Sequence, residues 1–71
     1  MPEEKIKLKI NGMQCEHCRM SVEKAILAVP GVKKAAVQLA GGTAEVVYDP
    51  QAASPEAVAR AVEKAGYGVE R

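Results

Sequence analysis

The stretch "KIKLKI", residues 5–10, alternates lysine with Ile6, Leu8 and Ile10. An apolar side chain at every second position puts all three on one face of a strand and the lysines on the other. No segment constrains the chain more, because a strand with one apolar face must be covered by the rest of the molecule. Only 71 residues are there to do so, near the lower end of what folds on a hydrophobic core alone. With no Phe or Trp and only Tyr48 and Tyr67, that core must be built from Ile, Leu, Val and Ala.

The period then changes. Asn11-Gly12 ends the strand, and from about Glu16 to Val29 the apolar positions Cys18, Val22, Ala25, Ile26 and Val29 mark one buried helical stripe. Pro30-Gly31 stops that helix. "VKKAAVQL" returns to alternation, with Ala35, Val37 and Leu39 on one face. Gly41-Gly42 suits the positive φ angles of a tight hairpin, and "TAEVVY" comes back with Ala44, Val46 and Tyr48 inward. After the break at Asp49-Pro50, Ser54-Pro55 reads as an N-cap followed by proline at the first helical position. Val58, Ala61, Val62 and Ala65 line this second helix, Gly66 suits its C-terminal cap, and "YGVE" leaves a short last strand.

The order is β-α-β-β-α-β. It predicts an α+β fold, the ferredoxin-like sandwich, with a four-stranded antiparallel sheet and both helices on one face. Residues 1–71 form a single domain on this reading. Lys5, Lys7, Lys9, Lys34, Gln38, Thr43 and Glu45 would occupy the open sheet face. The up-and-down path also brings the 11–17 loop, the Gly41-Gly42 hairpin and the Gly66-Tyr67 junction to the same end. Ten basic and nine acidic residues give a net charge of +1, which points to neither nucleic acid nor a membrane surface. The open face lacks the aromatic platform that RNA-binding sheets use. No stretch approaches the roughly 20 apolar residues of a membrane span. "MPEEKIKLK" has no signal-peptide apolar region, so a chain starting at Met1 is expected in the cytoplasm.

Between the first strand and the first helix lies "GMQCEHC", residues 12–18, with both cysteines and the only histidine. Cys15 falls in the loop and Cys18 in the first helical turn, where backbone N–H groups favour thiolates. Two cysteines three positions apart cannot staple a distant loop, so a structural disulfide is a poor reading. Two sulfurs bridged by one ion lie about 4–5 Å apart, twice a metal–sulfur bond of roughly 2.3 Å, and i, i+3 spacing reaches that. Structural zinc wants four ligands, and only Cys15, Cys18 and His17 offer themselves. Cu(I) is soft and accepts two thiolates, so ligand count favours it. The rival is a thiol-disulfide oxidoreductase, since strand–CxxC–helix is also its setting. Against it, a hairpin comes after the first crossover where that fold needs a helix, and no proline opens a strand facing the cysteines.

"GMQCEHC" resembles the GMxCxxC motif of heavy-metal-associated domains, the fold of small copper chaperones and of the N-terminal domains of copper-transporting ATPases. The similarity extends through "VEKAI", "VPGV" and the closing "AVEKAGY". It implies that Cys15 and Cys18 bind Cu(I) and pass it to a same-fold metal-binding domain of a copper-transporting P-type ATPase. A non-enzymatic chaperone is the expectation; an excised ATPase domain is its alternative. The CxHC form with Tyr67 is similar to bacterial cytosolic chaperones. Zinc- and cadmium-exporting relatives carry an acidic residue where this chain has Gln14. Arg19 departs from the pattern and would place a fixed positive charge beside the site.

The remaining residues each have a plainer reading. Met13 is an apolar plug beneath the loop before it is a thioether ligand; the resemblance implies the plug too. Met20 is packing or partial exposure. His17 is a solvated loop side chain, with a third-ligand role or a contact in a copper-bridged homodimer as its alternatives. Tyr67 is either core alone or core that also covers the site.

Overall fold

The computed structural model describes residues 3–70; Met1, Pro2 and Arg71, the ends of the expected 1–71 domain, lie outside the described residues. The elements run β1 (Glu4–Asn11), α1 (Glu16–Leu27), β2 (Val32–Gln38), β3 (Thr43–Tyr48), α2 (Pro55–Lys64) and β4 (Gly68–Glu70). The four strands form one antiparallel sheet in the order β2-β3-β1-β4. This is the ferredoxin-like arrangement that the alternation of periods predicts.

One side of the sheet is dry. Leu8, Ile10, Val37, Ala44, Val46 and Tyr48 are buried there in a single cluster with Val22 and Ile26 of α1 and Val58 and Val62 of α2. On the opposite face Lys5, Lys7, Lys9, Lys34 and Gln38 are exposed. Among the described residues no helix is long and apolar enough to cross a membrane.

Helix boundaries obey local chemistry. Ser54 caps α2, its side chain accepting from the Ala57 N–H at 3.1 Å, and Pro55 occupies the first helical position. The α1 helix ends at Leu27, two residues short of the expected Val29. Pro30 disfavours helical geometry in the residue before it, so Val29 closes a last turn onto Ile26 and leaves the axis. In α2 the buried stripe is Val58, Ala59 and Val62. Ala65 was expected on it, but as the C-cap it lies beyond the last turn and is exposed.

The expected tight hairpin is longer. Strands β2 and β3 stop at Gln38 and Thr43, and Gly42 alone, at φ +63°, takes the left-handed conformation. Its N–H bonds the Leu39 carbonyl at 3.3 Å, which makes a four-residue turn. A bulge between Val32 and Lys34, with no signal in the alternation, re-aims the start of β2. Gly31 is demanded twice: its φ is +95°, and a Cβ there would meet the Ala52 Cβ at 2.7 Å.

Candidate metal centre

Gly12 to Cys18 cross from the end of β1, an inner strand of the sheet, into α1. Cys15 is the N-cap residue, in extended conformation, and its carbonyl accepts the first helical bond from the Arg19 N–H at 3.1 Å. Its thiol makes no capping bond and is exposed. Cys18, one turn on, is half-buried. The two sulfurs stand 3.2 Å apart as free thiols. That lies between a disulfide bond of about 2.05 Å and the 4–5 Å span around one bridging ion. Either state is reached by turning side chains, and Cys15, facing solvent, is free to turn.

The Cys18 thiol is lowered from 9.0 to about 7. The backbone N–H of Gln14 contributes most, then the Tyr67 and Cys15 side chains, with burial opposing them. The Tyr67 phenol is raised in return, chiefly by Cys18, while Ser21 pulls it down. A loop that turns its N–H back towards the helix therefore holds a thiolate near neutral pH.

Sequence-expected neighbours are brought together at this end. A Cβ on Gly12 would stand 3.6 Å from the Tyr67 ring, and the Ile10 N–H donates to the Gly42 carbonyl at 2.7 Å. Met13 and Tyr67 are both half-buried and packed against the core. His17 is not drawn in. It is exposed and borders a shallow hollow on the outer side of α1 with Met20, Ser21 and Leu27. Among the described residues no group of three or more His, Cys, Asp or Glu side chains could hold an ion.

Arg19 does not stand as a free charge beside the sulfurs. It pairs with Glu16 and, at 3.7 Å, with Glu23, so its guanidinium is engaged along α1. Two contributors to the site were not expected from the sequence. The Gln14 backbone carries no side-chain signal at all. Ser21 does, as the i+3 neighbour of Cys18 on the same helix face.

A family model for the heavy-metal-associated domain matches residues 7–68. The chain belongs to this family. Within it, the chain is 48% identical over 64 residues to the copper-transporting ATPase HMA4 of Oryza sativa subsp. japonica, covering 90% of itself but 6% of that protein. The CopZ metallochaperone superposes with a TM-score of 0.91 at 34% identity, over 94% of this chain and 100% of that one. The N-terminal domain of a potential copper-translocating P-type ATPase from Bacillus subtilis, solved in its Cu(I)-loaded state, gives 0.92 at 36% identity, over 97% and 86%. This heavy-metal-associated domain is thus related both to ATPase metal-binding domains and to a small chaperone.

Proposed function

We propose that this heavy-metal-associated domain is a Cu(I) metallochaperone in which residues 1–71 act as one unit. Cu(I) is its cargo, held between Cys15 and Cys18 and handed to the metal-binding domain of a copper-transporting P-type ATPase. The observation that carries the reading is the pair itself: an exposed thiol beside one already poised to ionise, with no third ligand gathered round them among the described residues. Such a site satisfies Cu(I) and underfills zinc. The relatives named for copper, one of them solved with Cu(I), support the choice of cargo. The likeness to the CopZ metallochaperone supports the chaperone role.

Transfer then proceeds by ligand exchange. An incoming partner thiolate bonds the copper on its Cys15 side, where solvent already reaches, and gives a three-sulfur intermediate. One chaperone sulfur departs as the partner's second thiol gives up its proton and bonds the copper. The other chaperone sulfur then departs, and the two released thiolates take up the protons that the partner's thiols gave up. Copper is never free, and direction is set by relative affinity and removal downstream.

Anaerobic titration of the reduced protein with Cu(I) against a competing chelator tests this reading. One tight equivalent per chain is expected, with zinc displaced. Weak binding together with rapid turnover of a disulfide substrate would instead favour the oxidoreductase, for which a 3.2 Å sulfur separation is also suited.

A further inference from the structure

Asn11 is the only asparagine of the sequence, and the residue after it is glycine. A backbone nitrogen that follows asparagine can attack the side-chain carbonyl and close a five-membered succinimide ring. Glycine hinders that attack least, because it has no Cβ. Asp49, the only aspartate, precedes Pro50, whose nitrogen has no hydrogen to give up. Position 11 is therefore the one place in the sequence where such a ring can close. The fold exposes both reacting groups there and holds them apart. Asn11 and Gly12 are exposed where β1 gives way to the cysteine loop. Gly12 sits at φ +98°, and among the described residues its N–H finds no acceptor. The Asn11 carboxamide is drawn the other way, across β4. Its Nδ2 donates to the Glu70 carboxylate at 2.9 Å and would stand 3.7 Å from a Cβ on Gly68, the residue paired with Asn11. While that tether holds, Cγ is not presented to the Gly12 nitrogen.

We propose that Asn11 is a site of spontaneous deamidation, latched by Glu70, and that its conversion loosens β4 beside the cysteine loop. When the latch opens, the Gly12 nitrogen loses its proton to a base in solution and bonds Asn11 Cγ. The Cγ–Nδ2 bond breaks, and ammonia leaves with the proton that the base returns. Water then opens the ring at either carbonyl, giving aspartate or isoaspartate with no change of oxidation state. Either product sets a carboxylate against Glu70 where a donor had been, so attraction becomes like-charge repulsion. Lys9, across from Glu70, forms no ion pair with it and would have two carboxylates to balance. β4 is held to the sheet by only three residue pairs, from Lys9↔Glu70 to Asn11↔Gly68, so one repulsive contact acts on a large share of its pairing. Isoaspartate also adds one backbone carbon between β1 and the loop that carries Cys15. Tyr67, which precedes β4 and lies over Gly12, would feel both changes.

The test follows isoaspartate, by enzymatic methylation and peptide mapping, in the full reduced chain held in mildly alkaline buffer. Isoaspartate should accumulate at position 11, more slowly than in a capped peptide of residues 8–14, since only the locally opened state reacts. Glu70→Ala, checked for unchanged circular dichroism, should convert about fivefold faster, the factor expected for losing one modest hydrogen bond. Asn11→Gln should form no isoaspartate. In the converted protein the Gly68 and Glu70 amides should exchange hydrogen faster than in fresh protein, while amides between β1 and β3 stay as slow. Four results would each overturn the proposal: no isoaspartate in the folded chain, a rate equal to the peptide's, a rate unmoved in Glu70→Ala, or β4 exchange unmoved after conversion. Isoaspartate persisting in Asn11→Gln would also overturn it, by placing the reaction elsewhere.

Discussion

Cys15 and Cys18 differ because one caps a helix and the other lies inside it. The Cys18 thiol is drawn down by the Gln14 backbone N–H, then by the Tyr67 phenol and the Cys15 thiol, all of which favour its thiolate. Its alkylation rate should therefore climb with pH through a midpoint near 7. Tyr67→Phe keeps the ring packed but removes the hydroxyl. The midpoint should then move upward, because a group that favours the charged form is gone, while the thermal midpoint stays nearly unchanged. An unmoved alkylation profile would make Tyr67 a core residue only. The single-cysteine variants separate the ligands in transfer. With a partner metal-binding domain, Cys18→Ser should still trap a copper-bridged complex through exposed Cys15, and Cys15→Ser should trap it poorly. The reverse pattern would make Cys18 the delivering ligand.

Among the elements, the β1 alternation, the α2 cap at Ser54-Pro55 and the inward face of β3 were legible because each depends on neighbours in the chain. The bulge in β2, the four-residue hairpin and the burial of Ala59 were not, since packing between elements decides them. That the Cys15 and Cys18 sulfurs face each other was readable from their spacing. The Gln14 N–H was not, because any residue type would supply it. Gly31 shows the same divide: its place after Pro30 marks a turn, but its contact with Ala52 belongs to the tertiary structure. Gly31→Ala should cost roughly 2–5 kcal/mol in denaturant unfolding, from a strained φ and a Cβ forced onto Ala52. That is a large share of the total, about 4–10 kcal/mol for a chain of this length. Gly41→Ala is the control. Its nearest neighbours are Thr43 side-chain atoms at 3.6 and 3.9 Å, and its cost should stay within about 0.5 kcal/mol. Equal losses in the two variants would show that the close approach at Gly31 does not govern stability.

For the whole molecule, the up-and-down path joins fold to function. It gathers the cysteine loop, Tyr67 and the Gly42 turn at one end, and leaves the lysine face of the sheet on a different side. The central claim is that this end offers Cu(I) two sulfurs from one chain and nothing else. X-ray absorption at the copper edge, on the anaerobic Cu(I)-loaded monomer at one equivalent, tests it most directly. The expected spectrum shows two sulfur neighbours and no nitrogen, unchanged in His17→Ala. A third sulfur, or an imidazole contribution that disappears in His17→Ala, would contradict it.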